Sequence, residues 1–468
     1  MTAVARFDGG WTPQLDQAYR DVLGAVRDGS LGQDVTHDEL ALSGRFGLDP
    51  VVLHAVLERL SDVGIAVLDD HAAVRFRSLS PAAWVDNGWL LVGLVEGVMR
   101  SAVPVLTAAD LVEQGRVAEA LRRSAHLRTP ELDQAFWASI TFWIDRTPNV
   151  SLGRLAARAV ERARFGVTPT IPFRSTEVDT WAAAAEQAVR YPGVRSAERA
   201  AHVLARLWGE HVDAAVAAFG GASDDGSSAS SASASASTAP SAPSAPADSP
   251  SWAVWTPDDL WWDLLAMVRD GTLERDRTYR ASAIAARLRQ SVRRLVPMVR
   301  RLELLGLVET RPDDPEGIRI TRPDLQHWTD SLQLASTLVE ACARWSVPTL
   351  DGAGRAELHG VIDRLRRQGR IRDYGYTMSV VELSRLLADH TPNPWLAGSL
   401  RFALSRLAFV FDEAPPFRRW DIEDVLTQLE DAIDRGDPDR AADAAHALNV
   451  HYDAHIVDVV ARLSGTES

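Results

Sequence analysis

Arginine is concentrated in one short stretch of the chain. From Ala281 to Leu304 the sequence reads "ASAIAARLRQSVRRLVPMVRRLEL", with six arginines and a single acidic residue, Glu303. A guanidinium group keeps its positive charge and can donate two parallel hydrogen bonds to a phosphate or a base edge. The stretch therefore predicts an anion-binding surface. The alternative is a solvated helix face, which is common in an arginine-rich chain.

The spacing of apolar residues indicates which elements would position these arginines. The stretch predicts a helix, a turn near Gln290, and a second helix with Leu295, Val299 and Leu302 on one face. Gly306 follows as a C-cap. The next segment, "LVETRPDDPEGIRI", predicts a strand, an Asp/Pro/Gly turn and a second strand. A helix-turn-helix followed by a two-stranded wing is a winged helix.

The chain also repeats itself. "LVEGVMRSAVPVL" (94–106) and "LVEACARWSVPTL" (338–350) agree at seven of 13 positions. Matching residues of the two copies differ by 242 in residue number through the first part of each copy. From Trp84 to Val216 they differ by 244. A constant register over such a length indicates internal duplication.

We therefore expect a mostly α fold made of two tandem copies related by a pseudo-two-fold axis. Each copy would be a winged helix-turn-helix followed by an all-α helical bundle, because the later segments repeat apolar residues with a period of 3.6. Residues 220–251, between the two copies, lack the large apolar residues whose burial would offset the entropy lost on ordering, so they predict a flexible linker. The expected domains are winged helix 1–80, bundle 81–219, flexible Ser/Ala/Pro linker 220–251, winged helix 252–322 and bundle 323–468.

Composition narrows the class of protein. The 468 residues carry a formal net charge of −14, so any contact with a polyanion requires a local basic surface. The single cysteine, Cys342, excludes an intramolecular disulfide and a cysteine-based zinc cluster. The N-terminal residues lack a signal-peptide pattern, and no apolar run approaches the length of a membrane helix. We expect a cytoplasmic protein with no membrane partner.

Four sets of motifs together point to a known family: "VRDGSL" and "VRDGTL", "LERLSDVGIAV" and "VRRLELLGLVE", "TPN" in both copies, and "AIDRGDPDRAADAAHAL". They resemble the GntR family of bacterial transcription regulators, in particular its FadR-like branch with an FCD-type helical ligand domain. The resemblance implies a homodimer that clamps a short palindromic operator in double-stranded DNA and senses a small organic acid in the helical domain. This chain looks like such a dimer written as one polypeptide, a fused pseudo-dimer.

The resemblance places the DNA contacts mainly in the second copy. There Ser291 keeps the family's serine at the start of the recognition helix, whereas Val292 and Val296 replace two family arginines. In the first copy Asp49 replaces the serine, and Pro50 and His54 replace the arginines. Acidic residues repel phosphates, so we expect the first copy to be degenerate for DNA. The predicted DNA-binding residues are Arg280, Arg287, Arg289, Ser291, Arg293, Arg294, Arg300 and Arg301.

The family's metal site is expected to be lost in both copies, so no cofactor is predicted. Its first two ligand positions fall on Val380 and Ser384 in the second copy, and the later ones on apolar residues. His202 and His211 are nine residues apart on a helix and would face opposite sides. Polar residues kept in both copies remain as ligand candidates. They are Arg100, Arg344, Asn149, Asn393, His202, His446, His211 and His455.

Each ligand candidate has a structural alternative. Arg100 and Arg344 each follow a glutamate by four residues, which favours a salt bridge within a helix. The asparagines suit helix caps, and the histidines suit a buried structural role.

The predicted function is a ligand-responsive transcription regulator in which the two copies pair within the chain, with a further homodimer left open. The alternative is a GntR-like fold that has lost operator binding. Such a protein would serve as a small-molecule-binding or scaffold protein, or as an enzyme using the helical-domain pocket. The sequence shows no nucleophile-base motif, phosphate loop or metal cluster, which favours a non-enzymatic role.

Overall fold

The chain divides into two compact units, Met1–Pro250 and Ser251–Ser468, referred to below as unit 1 and unit 2. Each begins with a small α/β head and continues into a helical body. The computed structural model describes residues 12–68, 73–77, 81–129, 131–165, 174–224, 259–304, 306–311, 314–322, 325–371, 375–410 and 422–463.

Between residues 12 and 77, the described part of the head of unit 1 contains three helices and three short strands. Its strands form an antiparallel sheet in the order β1-β3-β2, with Thr36 opposite Arg75 and Ala66 opposite Phe76. Apolar faces of the helices pack on this sheet, and Val22, Leu57 and Phe76 are completely buried. The elements are α1 (Pro13–Arg27), β1 (Thr36–Asp38), α2 (Glu39–Phe46), α3 (Pro50–Asp62), β2 (Ala66–Leu68) and β3 (Ala73–Phe76).

The body of unit 1 is a bundle built around α4, which packs against α6, α7 and α9. The segment Ala82–Val105, which covers most of α4, is long and apolar enough to cross a membrane, yet more than half of it is buried inside the bundle. It is therefore the core helix of this body. The helices are α4 (Pro81–Ala102), α5 (Ala108–Leu127), α6 (Leu132–Ile144), α7 (Val150–Phe165), α8 (Ser175–Arg190) and α9 (Val194–Asp224).

Helix α7 joins the body of unit 1 to its head. The Tyr19 hydroxyl donates to Glu161 across 3.0 Å, and the Arg59 guanidinium lies 3.7 Å from the same carboxylate. The buried Arg162 side chain donates to the carbonyl of Val63 at the end of α3. Phe165, the last residue of α7, belongs to the apolar core of the head. The head and body of unit 1 therefore share one interior.

Unit 2 repeats this order of elements. Its three strands are also antiparallel, in the order β4-β6-β5, with Thr278 opposite Arg319 and Val308 opposite Ile320. The elements are α10 (Asp259–Arg269), β4 (Thr278–Arg280), α11 (Ala281–Arg287), α12 (Val292–Leu304), β5 (Val308–Arg311), β6 (Asp314–Ile320), α13 (Leu325–Ser346), α14 (Gly352–Ile371), α15 (Gly375–His390), α16 (Pro394–Val410), α17 (Glu423–Arg435) and α18 (Pro438–Leu463).

A cross-helix ion pair occurs at matching positions of the two bodies. Arg122 makes two hydrogen bonds of 2.8 Å to Glu186, linking α5 to α8. Arg366, 244 residues later, makes two bonds of 2.5 Å to Glu430, linking α14 to α17. These carboxylates raise the pKa of both guanidinium groups above the usual range. The two arginines are thus structural ties between helices.

The prediction of a mostly α fold with winged-helix heads and helical bodies is confirmed. Gly306 closes α12 with a φ of 69°, as the C-cap prediction requires. The third strand of each sheet, β1 and β4, was not predicted, because three residues are too few to show a period. Helix α9 continues to Asp224, so the first five residues of the predicted linker are helical. The rest of the linker lies outside the described residues.

Tryptophan and glycine interlock where α4 meets α9. A Cβ added to Gly88 would lie 2.4 Å from the indole nitrogen of Trp208, and one added to Gly209 would lie 3.0 Å from the ring of Trp89. Each indole thus occupies space that only a glycine on the facing helix leaves open.

We predict that Gly88→Ala destabilises unit 1 by about 1–3 kcal/mol, because the buried indole would have to leave its rotamer. The matched control is Gly115→Ala in α5, where an added Cβ meets nothing within 4 Å. That variant should gain about 0.5–1 kcal/mol from helix propensity. Urea unfolding followed by tryptophan fluorescence measures both. Equal midpoints for the two variants would contradict the interlock.

Candidate nucleic-acid interface

The helix-turn-helix of unit 2 is closed by local hydrogen bonds. The Gln290 amide donates to the Ala285 carbonyl across 2.9 Å, and Arg289 adopts the left-handed conformation with a φ of 54°. The Ser291 hydroxyl then accepts from the amide of Arg294 at 3.2 Å, which caps the start of α12. The turn therefore presents a capped helix N-terminus, whose partial positive charge favours an anion.

Three of the predicted arginines border this turn with exposed side chains, and a fourth, Arg280, is exposed at the other end of α11. Arg280 ends β4, Arg287 ends α11, Arg289 lies in the turn, and Arg294 lies in the first turn of α12. The predicted Ser291 is also exposed. The structure thus places four predicted residues around one feature: Arg287, Arg289, Ser291 and Arg294. The side chains of Arg293, Arg300 and Arg301 lie outside the described residues.

An aromatic ring that the sequence reasoning missed organises part of this surface. The guanidinium carbons of Arg277 and Arg287 lie 5.8 and 5.4 Å from the centroid of the Tyr279 ring, within the range of cation–π contact. Arg287 also donates to the Thr272 carbonyl across 2.7 Å. Tyr279 lies in β4, and the only available signal was the alternation of polar and aromatic residues in "TYR".

Acidic neighbours accompany the arginines near the wing. Arg319 contacts Glu309 at 3.0 Å and Asp276 at 3.1 Å, and Arg322 contacts Asp276 at 3.1 Å. A phosphate would have to compete with these carboxylates. The cationic surface of the described head is therefore centred on the turn and the start of α12.

The head of unit 1 carries the opposite charge at the corresponding place. The Asp49 carboxylate caps α3 by accepting from the Val51 amide at 2.8 Å. The His54 ring lies between two carboxylates, with Glu39 at 3.2 Å and Glu58 at 3.3 Å. These groups would repel a phosphate backbone. That the first copy is degenerate for DNA stays a prediction.

Asn149 and Asn393, predicted as ligand residues, both cap helices. The Asn149 side-chain oxygen accepts from the Leu152 amide at 2.9 Å, at the start of α7. That of Asn393 accepts from the Leu396 amide at 3.0 Å, at the start of α16. Both asparagines are buried. The structure gives them the capping role considered as the alternative, and a ligand role stays a prediction.

The arginine candidates lie at the ends of the central helices. Arg344 donates to Asp439 of α18 across 2.6 Å. Arg100 lies half-buried at the corresponding position of α4. The contact with α18 was not foreseen, since the sequence suggested a partner within the same helix.

Buried Glu340 receives the polar groups of α18. It accepts from the Asn449 side chain at 2.6 Å and lies 3.1 Å from Nδ1 of His446. His446 therefore belongs to a polar cluster between α13 and α18. Two ligand candidates of unit 2 are thus placed in polar contacts: His446 in this cluster and Arg344 in the pair with Asp439.

The two histidines of α9 do not come together. His202 is exposed, whereas His211 is buried with its ring centroid 5.6 Å from Trp208 and 6.0 Å from Trp84. Burial lowers the pKa of His211 to about 4, so the ring is neutral at physiological pH. The side chain of His455, the corresponding residue of unit 2, lies outside the described residues.

Aromatic side chains fill the interior of the unit 1 body. Trp208 stacks on Phe136 at 5.9 Å and meets Trp137 edge-on at 5.7 Å. The Trp137 indole donates to Asp133 across 2.8 Å. In the described part of the chain, no group of three or more His, Cys, Asp or Glu side chains could hold a metal ion.

Each unit is thus a winged-helix head on a helical body, and one head carries a basic helix-turn-helix. No family model matches the sequence, and no curated protein matches it. Several solved structures do match, and those described next each cover less than half of this chain.

Three of these structures show the range of similarity. E. coli McbR/YncC is 14% identical with a TM-score of 0.35, and the match covers 44% of this chain and 99% of that one. A GntR-family transcriptional regulator from Pseudomonas syringae pv. tomato is 19% identical with a TM-score of 0.25, covering 44% and 86%. Streptococcus agalactiae GntR is 16% identical with a TM-score of 0.24, covering 41% and 98%.

The buried His211 predicts how stability depends on pH. Its pKa is about 4 in the fold and 6.5 in a model peptide, so between these values the unfolded chain binds a proton that the folded chain does not. Stability should therefore fall as the pH is lowered from 6.5 towards 4, by up to about 3 kcal/mol from this group.

We predict that His211→Phe reduces this pH dependence relative to the natural chain. His202→Gln, on the exposed face of the same helix, is the control and should keep the natural slope. Urea midpoints measured at several pH values between the two limits give the comparison. An unchanged slope in His211→Phe would show that the ring is not held neutral.

Proposed function

We propose that the chain is a GntR-like, ligand-responsive transcription regulator that contacts double-stranded DNA mainly through unit 2. The observation that carries this proposal is the arrangement of Arg287, Arg289 and Arg294 around the capped start of α12. A winged helix reads DNA with the first turn of that helix in the major groove, while nearby cations neutralise phosphates.

We further propose that the two units arose by duplication and pair as a pseudo-dimer within a cytoplasmic protein. The repeated sequence, the identical order of elements, and the matching ion pairs of Arg122 and Arg366 support a common origin. A dimeric regulator gains DNA affinity from its second head, so a chain with one basic head would bind DNA weakly. A further homodimer that presents two unit 2 heads would restore that gain.

A small organic acid is proposed as the effector, with unit 2 as the preferred site. Trp137 and Trp208 fill the interior of the unit 1 body, which disfavours a ligand there. In unit 2 the Arg344 guanidinium bonds to the exposed Asp439 carboxylate, a partner that a ligand carboxylate could replace. His446 lies in the adjoining cluster, so a shift of Arg344 would act on the packing of α13 against α18.

Arg289 offers a test of DNA contact that leaves the backbone unstrained. The corresponding residue of unit 1 is Gly47, which has a φ of 61° beside the 54° of Arg289. Arg289→Gly should therefore fold at least as stably as the natural chain, because glycine adopts this conformation without a steric cost. Any decrease in DNA affinity would then come from the missing guanidinium.

We predict that Arg289→Gly weakens binding to a duplex from the protein's own promoter region. The slope of log affinity against log salt should become shallower by about one unit for each phosphate that the variant no longer neutralises. The control is Arg128→Gly, because Arg128 is exposed and left-handed with a φ of 52° but lies at the end of α5. Fluorescence anisotropy at several salt concentrations measures both.

The control should bind DNA as the natural chain does. Absence of binding by the natural chain at low salt would remove the regulator proposal. An equal decrease in affinity for the two variants would show that Arg289 is not a specific contact.

A further inference from the structure

The head of unit 1 exposes apolar side chains on the face where a winged helix would meet DNA. Val51, in the first turn of α3, is 78% exposed, and Leu40, in the first turn of α2, is 72% exposed. Val35, just before β1, is 54% exposed. Leu40 and Val51 are called the unit 1 head patch, and Val35 is a third exposed apolar residue of the same head. Leu40 adjoins Glu39, and Val51 lies one turn before His54, so the ion pair of Glu39 and His54 holds the two helix starts together.

Acidic groups frame the patch. Asp38 caps α2 by accepting from the Ala41 amide, and Asp49 caps α3 by accepting from the Val51 amide. Both carboxylates are exposed, and Glu58 lies on the other side of His54. Glu39 contacts the same ring and adds a further acidic group beside Leu40. The patch is therefore apolar at its centre and negative at its edge.

Unit 2 has different residues at the same positions. At the offset of 242, Arg277 stands for Val35, Ser282 for Leu40, and Arg293 for Val51. Arg280 likewise stands for the capping Asp38. The two heads have the same sheet order and helix order, so the difference lies on the surface and not in the fold. The face of unit 1 has the chemistry of a protein-binding surface, where exposed apolar residues are surrounded by polar ones.

A partner for this patch needs an apolar contact surrounded by positive charge. The turn of the unit 2 head has this composition. Val292, the first residue of α12, is 41% exposed. Around it are the exposed side chains of Arg287, Arg289 and Arg294. Valine would meet valine and leucine at the centre, while guanidinium groups would meet carboxylates at the edge, which favours both affinity and correct orientation.

We propose that the unit 1 head patch of one molecule docks on the basic helix-turn-helix of unit 2 in a second molecule. The contact joins two different surfaces, so it is heterologous and lets molecules associate head to tail. It also covers the arginines assigned above to DNA. Association and DNA binding would then exclude each other, although the contact itself does not depend on the proposed function.

The test compares self-association of the intact chain with that of the double variant Leu40→Ser/Val51→Arg, measured without DNA by sedimentation velocity. Both substitutions introduce the residue that unit 2 carries at the same position, and both sites are exposed, so the fold is preserved. The control is Val112→Arg/Leu127→Ser on α5, where the two apolar residues are 63% and 67% exposed. It makes the same chemical change away from the patch.

We expect the natural chain and the control to form larger species as concentration rises, and the Leu40→Ser/Val51→Arg variant to stay monomeric. Raising the salt from about 50 mM to about 500 mM should weaken association, because exposed charges are screened over a few ångströms at the higher value. A duplex that binds unit 2 should dissociate the assemblies.

Three outcomes would overturn the proposal. They are a natural chain that stays monomeric at every concentration, association that survives in the Leu40→Ser/Val51→Arg variant, and an equal decrease in the control. A compact monomer whose shape changes only in the Leu40→Ser/Val51→Arg variant would indicate a partner within the same chain and would reject a second molecule as occupant. DNA affinity is measured separately, so failure of this contact leaves the regulator proposal intact.

Discussion

Burial of one apolar helix at the centre of each body is the constraint on which both units depend. Leu94, Val95 and Val98 of α4 are completely buried, as is Leu338 of α13. A helix that is apolar on most of its circumference must be covered on all sides, so its neighbours are positioned around it. Helices α6, α7 and α9 cover α4, and α15, α16 and α18 cover α13. In unit 1 the remaining helices pack on this shell, α5 against α6 and α8 against α9, and the Arg122–Glu186 ion pair ties α5 and α8 to each other.

The sequence predicted the features that depend on period and on local turn chemistry. The helices of each head, the wing, and the caps at Gly306, Asn149 and Asn393 all follow from residues close together in the chain. The mostly α class followed for the same reason. The position of Arg294 in the first turn of α12 could also be inferred, since a helix fixes the direction of each residue.

Contacts between distant elements could not be predicted in the same way. Arg344 meets Asp439, 95 positions later, and no local pattern distinguishes this contact from a bond to Glu340 four residues away. The neutral His211 depends on Trp84 and Trp208 around it, which a helical period cannot reveal. Exposure of Leu40 and Val51 was equally hidden, because an apolar residue in an amphipathic helix is ordinarily expected in the core. In each case the missing information was which surfaces meet.

The role of α7 in unit 1 changes what counts as a domain there. Motif boundaries divide the sequence near residue 80, yet Phe165 fills the core of the head from beyond that point. A fragment ending at residue 80 would lose this ring, the carboxylate that receives Tyr19, and the guanidinium that reaches Val63. The head would then expose apolar surface to water and leave buried polar groups without hydrogen-bond partners. Its free energy of unfolding would decrease by a few kcal/mol. Head and body of unit 1 are accordingly one cooperative folding unit, and a ligand or protein that strains α7 would act directly on the end of α3.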